Sequence, residues 1–422
     1  MAYKLIGFVG IFVFLLMAWA ASGFRRPVNL RLVIFALLFQ LGFAFVVFRA
    51  PVGVHIFSWL NEGVLGLLSF AREGIYFVFG PLSVAPGTKG PSGEPSLGFI
   101  LAFQVLPSVI FFSSLVSLCY YLRLLPFLIQ LFARVFTVLM RISGAEALCA
   151  SSNIFVGIES ALTIRPHIST MTRSELCTVL TAGMATIAST VLGLYVSFLH
   201  GEFPGIAGHL ISASVLSAPA AIVLSKLVVP ETESPRTLGM RVPLERDPRS
   251  ETWIESIIYG AQDGVKLAVG IVTLLLAFLG LLSMANGILG LLGRTLLGLD
   301  LSLQSLLGQI FYPLAILMGV PVQDAGHVAR LLGERTIVTE VVSYQHLHQL
   351  MADGILTDPR TVTIASYALC GFAHIASLAI FVGGFAALAP ERAKDLARLG
   401  FRALYAATLA CLMTGAIAGL FA

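Results

Sequence analysis

Few side chains in this sequence can hold a ligand or exchange a proton, and they stand apart from one another in apolar text. Glu159 lies in N-I-F-V-G-I-E-S-A, Glu340 in E-R-T-I-V-T-E-V-V-S-Y and His374 in F-A-H-I-A-S. An acid at a bilayer centre costs about 3 kcal/mol or more on insertion scales, so each is a functional suspect if its segment is buried in lipid. Glu340, closely flanked by apolar residues, suits two vicinal hydroxyls such as a ribose offers; the competing reading is an ion pair with Arg335 or Arg330. Gly157 lets the backbone turn just before Glu159, so a hairpin tip there would present free backbone groups beside a carboxylate. Such a tip suits a polar solute or a cation. Alternatively, Glu159 pairs with Arg165 at the interface. Ser377 follows His374 at i+3, so both can face one site, although a lone membrane histidine often only bonds a neighbouring helix. Asn153, Thr186 and Ser189 are neutral oxygen donors of the kind that hold sodium beside carbonyls, and each alone is equally a helix-packing residue. No HExxH, phosphate-binding glycine loop or GxSxG is present, and no nucleophile stands beside a base. The pattern is that of a carrier, not an enzyme, with no cofactor implied.

The elements that must position these residues are membrane helices. Of the 422 residues, 57% are hydrophobic and 11% charged, against about 25% charged in soluble domains. Mean hydropathy is +0.93. The net charge of +4 is spread out, with no basic run that would suggest nucleic acid. The five cysteines sit in apolar stretches without a CxxC pair, which reads as buried thiols. Spanning stretches are 5–21, 32–48, 97–122, 176–200, 206–229, 265–289, 361–388 and 401–421, each near the roughly 20 residues a span needs. The first is long for a signal peptide and is followed by arginines, so it reads as a true span. Segment 52–80 mixes Trp59, Glu62, Arg72 and Glu73 with apolar residues, as an interfacial amphipathic helix does. Segment 230–251, with Arg236, Arg241, Arg246 and Arg249, reads as a linker between halves. Basic residues also mark 25–31 (Arg25, Arg26, Arg31) and 390–402, which puts these loops in the cytoplasm and both termini outside.

The two halves echo one another. M-A-T-I-A-S at 184–189 matches F-A-H-I-A-S at 372–377, and each motif follows an interrupted apolar segment with one isolated acid: 144–173 with Glu159, and 313–349 with Glu340. The Gly319–Val320–Pro321 break reads as the interruption of the second of these. Such paired, broken segments point to a transporter site at the membrane midplane. The fold expected is an all-α polytopic membrane protein of about eight transmembrane helices with two re-entrant hairpins in inverted repeats.

On these residues the chain resembles the concentrative nucleoside transporters, in their bacterial sodium- or proton-coupled branch. The matching text includes M-G-V-P at 318–321, T-E at 339–340, A-L-C-G-F-A at 368–373, G-G-F-A-A-L-A-P at 383–390, D-L-A-R-L-G at 395–400, N-I-F-V-G at 153–157 and A-T-I-A-S at 185–189. The resemblance implies a homotrimer in the cytoplasmic membrane, importing nucleosides with Na+ or H+ by alternating access. It implies scaffold helices and an interfacial helix in 1–122, a first transport repeat with hairpin 1 in 123–229, and a cytoplasmic linker in 230–252. A scaffold helix and a connecting helix follow in 253–310, and a second transport repeat with hairpin 2 in 311–422. By resemblance Glu340 holds the ribose with help from Ser377, Phe372 and Val191 line the pocket, and Asn153, Val156, Thr186 and Ile187 form a sodium site. His374, Glu159 and Gly157 complete the candidate substrate contacts. Two departures stand out. The family usually continues N-I-F-V-G with Gln-Thr-Glu, whereas here Ile158–Glu159–Ser160 follows, and His374 stands where Asn is usual. Base preference, stoichiometry and Na+ against H+ stay open, and the alternatives are a same-fold carrier of a nucleobase or other polar solute or, in a different class, an intramembrane enzyme or a passive channel.

Overall fold

The computed structural model describes residues 2–422 except 25–27, 87, 92, 245–249 and 300–301, and its regular elements are helical. Of the basic residues that set the expected topology, Arg25, Arg26, Arg246 and Arg249 lie outside the described residues. Three helices open the chain: α1 (Ala2–Ala21), α2 (Leu30–Phe48) and α3 (Pro51–Phe79). A second group runs α4 (Leu101–Gln104), α5 (Leu106–Tyr121), α6 (Leu124–Met140), then a short hairpin of α7 (Gly144–Ser152), α8 (Ser160–Thr163) and α9 (Arg165–Ile168). It continues through α10 (Arg173–Ala185), α11 (Ser189–Leu199) and α12 (Ile206–Val228). The third group repeats this order: α13 (Trp253–Leu297), α14 (Leu303–Leu317), a hairpin of α15 (Val322–Ile337) and α16 (Glu340–Ala352), then α17 (Pro359–Leu369), α18 (Ile375–Leu388) and α19 (Ala393–Phe421).

Local chemistry fixes the starts of these helices. Ser143 with Glu146, Thr172 with Glu175 and Thr252 with Glu255 each form a reciprocal capping box at the N-termini of α7, α10 and α13. The paths of α10–α11, α12 and α19 are buried almost all round, whereas α13 is largely exposed. Small residues let the central helices approach closely: α12 carries Ser212, Ala213, Ser214, Ser217, Ala218, Ala220 and Ala221, and Ser217 Oγ lies 3.3 Å from Thr414 Oγ1 of α19. The linker docks on the foot of the first hairpin, where the Gly144 and Ala145 amides donate to Thr237. Lys226 bridges Glu146 of that hairpin and Glu231 of the linker.

Among the described residues, eight helical paths are long and apolar enough to cross a membrane. They differ from the expected eight in two ways. The 51–83 segment, expected at the interface, qualifies by length and composition, with Glu62, Arg72 and Glu73 on its exposed side. The 361–388 stretch is not one span: it breaks between Leu369 and Ile375 into two half-helices. The 176–200 stretch breaks likewise between Ala185 and Ser189. Gly319–Val320–Pro321 does not interrupt the second hairpin; it turns the chain between α14 and α15, with Gly319 at φ +85°, while the hairpin tip is Val338–Thr339. That left-handed conformation strongly favours glycine, and an added Cβ there would sit 2.4 Å from Tyr3 O.

Candidate functional site

Each hairpin tip meets a broken helix. In the first half the tip 153–159 lies against the break 186–188: Ser189 N–H donates to Phe155 O at 3.0 Å, and a Cβ on Gly157 would stand 3.3 Å from that of Ala188. Ser214 of α12 binds both partners, its hydroxyl lying 3.2 Å from Ile154 O and 3.3 Å from Ile187 O. Asn153, Val156, Thr186 and Ile187 are all buried here. Asn153 Nδ2 donates to Cys149 O at 3.0 Å, which turns Oδ1 the other way, buried and without a donor. Thr186 Oγ1 donates back to Ala182 O at 2.9 Å, leaving its oxygen free to accept. An unpaired amide oxygen beside exposed carbonyl ends is a donor set that fits a small cation.

In the second half the tip residue Glu340 starts α16 and is 3% exposed. Its Oε1 accepts the Tyr195 hydroxyl at 2.7 Å. Its Oε2 lies 3.0 Å from His374 Nε2 and, with a second lone pair, keeps accepting capacity. The imidazole is itself a helix cap: Ser377 N–H donates to His374 Nδ1 at 3.1 Å. A backbone amide can only donate, so Nδ1 carries no proton and Nε2–H faces the carboxylate. Both Glu340 and the cap lie at helix N-termini, where the backbone dipoles favour negative charge. Ser377 Oγ donates locally, to His374 O at 2.7 Å and to Phe372 O, so its hydroxyl braces the break. Phe372 is half-buried with its ring 6.4 Å from that of His374, and Val191 is buried one turn before Tyr195.

The structure brings Glu340 and His374 together, with Ser377 and Phe372 beside His374 at the break. The partner of Glu340 is neither Arg335 nor Arg330 but His374 and Tyr195. Tyr195 escaped the sequence reading, although it stands at i+4 from Val191 on the same helix face. Glu159 lies elsewhere. It is exposed and lines a cavity of about 1290 Å³ together with Val156, Thr190, Ser113 and Ser117 of α5, and Gly260 and Asp263 of α13. Arg123, Arg165, Glu251 and Glu391, from the ends and connections of helices, also line it.

The chain matches known proteins along its whole length. A family described as Na+ dependent nucleoside transporter matches through its C-terminal part at residues 209–419 and its N-terminal part at 9–82. A domain described as nucleoside recognition (Gate) matches 102–201. The nucleoside permease NupC of Helicobacter pylori is 35% identical over 99% of this chain and 98% of its own. Solute carrier family 28 member 3 of mouse is 37% identical over 99% of this chain, which spans 59% of that longer protein. The solved structure of CNTnw in an inward-facing, substrate-bound state superposes with a TM-score of 0.87 at 35% identity, covering 100% of this chain and 98% of that one.

Proposed function

The chain belongs to the concentrative nucleoside transporter family, and we propose that it is a sodium-coupled symporter that draws nucleosides into the cell. It is a multi-pass membrane protein and a transporter, not an enzyme. The observation that carries the substrate reading is Glu340: a buried carboxylate at a hairpin tip, held through Oε1 by Tyr195 and left with accepting capacity on Oε2. A carboxylate so fixed is a strong acceptor for a sugar hydroxyl, because hydrogen bonds to charged groups are worth about 1.5–3 kcal/mol. Val191, Phe372 and His374 complete the pocket in this reading, while Gly157 and Glu159 belong to the other hairpin tip, where Glu159 lines the cavity through which the substrate passes.

Sodium is favoured over protons by two features. Asn153 Oδ1 is buried without a donor, beside Val156, Thr186 and Ile187. His374 already uses Nδ1 to accept from Ser377, so an imidazolium would form only by breaking the cap of α18. The proton reading rests on the 3.0 Å approach of His374 to Glu340. Two hairpins with their broken helices form the moving unit, 123–229 with 311–422, against a scaffold in 1–122 and 253–310. The carrier works as a homotrimer in the cytoplasmic membrane with both termini outside. The cavity, lined in part by Glu251 of the basic linker, then opens to the cytoplasm. Competition of labelled uridine uptake by nucleosides and by free bases tests the substrate class: nucleosides should compete and bases should not. Equal competition by bases would favour the nucleobase carrier.

A further inference from the structure

Arg335 is the largest fully buried side chain in the protein, at 0% exposure, in the last turn of α15. Among the described residues no carboxylate lies within ion-pair distance of it. An isolated buried cation is strongly disfavoured unless something negative surrounds it. What surrounds it is backbone. One guanidinium N–H donates to Ala368 O, in the final turn of α17 just before the break. The Tyr344 hydroxyl takes the neighbouring Ser366 O at 2.7 Å. The other broken helix ends at the same place: Cys411 Sγ lies 3.8 Å from Ala185 O, at the end of α10, and 3.9 Å from Cys370 O. Arg335 neighbours that thiol. Each helix C-terminus carries roughly half a negative charge, so two converging ends amount to about one, which a single guanidinium offsets. Nε and Nη2 have no acceptor.

Among the described residues the first half has no such residue. There the first hairpin helix ends at Asn153, a neutral amide whose Oδ1 is unpaired. One hairpin therefore carries its cation covalently, while the other presents an oxygen to a mobile one. We propose that Arg335 is a tethered cation that does in the second repeat what the mobile coupling cation does in the first, so that each transport cycle takes up one mobile cation. Arg335 acts on substrate only through the broken helices and Tyr344, whose ring lies 4.7 Å from that of Tyr195, the partner of Glu340. It is a positioning residue. A guanidinium suits the task because it stays protonated at any physiological pH. The inference rests on the ion-coupled reading above.

The test measures charge moved per nucleoside in proteoliposomes, for the natural chain, Arg335→Lys and Arg335→Met, with monodispersity in detergent as the folding control. The natural chain and Arg335→Lys should move one charge per nucleoside. Arg335→Met should lose transport by roughly tenfold or more and regain it with free guanidinium or raised sodium, with a steeper sodium dependence. Two charges per nucleoside in the natural chain, or a folded Arg335→Met with unaltered sodium dependence, would overturn the proposal. If Arg335→Met does not fold, the stoichiometries of the other two proteins decide. Transport driven by protons at one charge per nucleoside would sink the sodium reading and leave this one standing.

Discussion

The Tyr195 hydroxyl of the first repeat donates to Glu340 Oε1 of the second at 2.7 Å, so each half of the chain contributes to one buried carboxylate. Tyr195→Phe removes a hydrogen bond to a charged group, worth about 1.5–3 kcal/mol, and frees the carboxylate to rotate. Nucleoside affinity should fall about tenfold by calorimetry, with the purified protein still monodisperse. Unaltered affinity would mean that Tyr195 does not position the site.

Glu340→Gln keeps the shape of the side chain and removes its charge. Nucleoside binding should weaken at least about tenfold, and an analogue lacking the 3′-hydroxyl should no longer be distinguished from its parent. Near-normal binding by the variant would take Glu340 out of the substrate site.

His374 caps α18 through Nδ1, a role that asparagine fills as well and alanine does not. His374→Ala should cost about 1 kcal/mol of stability, read as a lower melting temperature in detergent, while His374→Asn should melt close to the natural chain. Equal melting of the two variants would show that the cap adds nothing.

Gly371 lies where the two broken helices touch. A Cβ there would stand 2.6 Å from Cys411 Sγ and 2.8 Å from Ala185 O, the latter a backbone atom that cannot step aside alone. Gly371→Ala should destabilise the protein by about 1–3 kcal/mol through overpacking and depress transport with it. A variant with full thermal stability would show that the two ends are not tightly apposed.

The spans were legible because lipid leaves a plain signature: long apolar runs, breaks at glycine and polar residues, and arginine in the loops. The echo of 184–189 in 372–377 marks where both helices break, and Glu340 and His374 meet. What escaped was the break inside each echoed span. Hydropathy is blind to it, since Thr186–Ala188 and Cys370–Ala373 are as apolar as a helix interior, and only the His374–Ser377 cap marks where helix restarts. The capping boxes at Ser143, Thr172 and Thr252 were readable from their Ser/Thr-x-x-Glu spacing. Tyr195 was hidden for a different reason: a tyrosine in an apolar span reads as packing until its partner, 145 residues away, is placed. The competing reading of Arg335 or Arg330 as the ion-pair partner of Glu340 fails because sequence shows that these residues are near in the chain but not that the hairpin tip turns them apart.

If a cation bound at Asn153 drives nucleoside accumulation, uridine and adenosine uptake into proteoliposomes under separate sodium and proton gradients, for the natural chain and Asn153→Ala, will show it. An inward sodium gradient at about pH 7.5 should accumulate nucleoside without a proton gradient, the His374→Asn protein should do the same, and Asn153→Ala should lose its sodium dependence. Uptake indifferent to sodium and abolished by a protonophore would contradict the account.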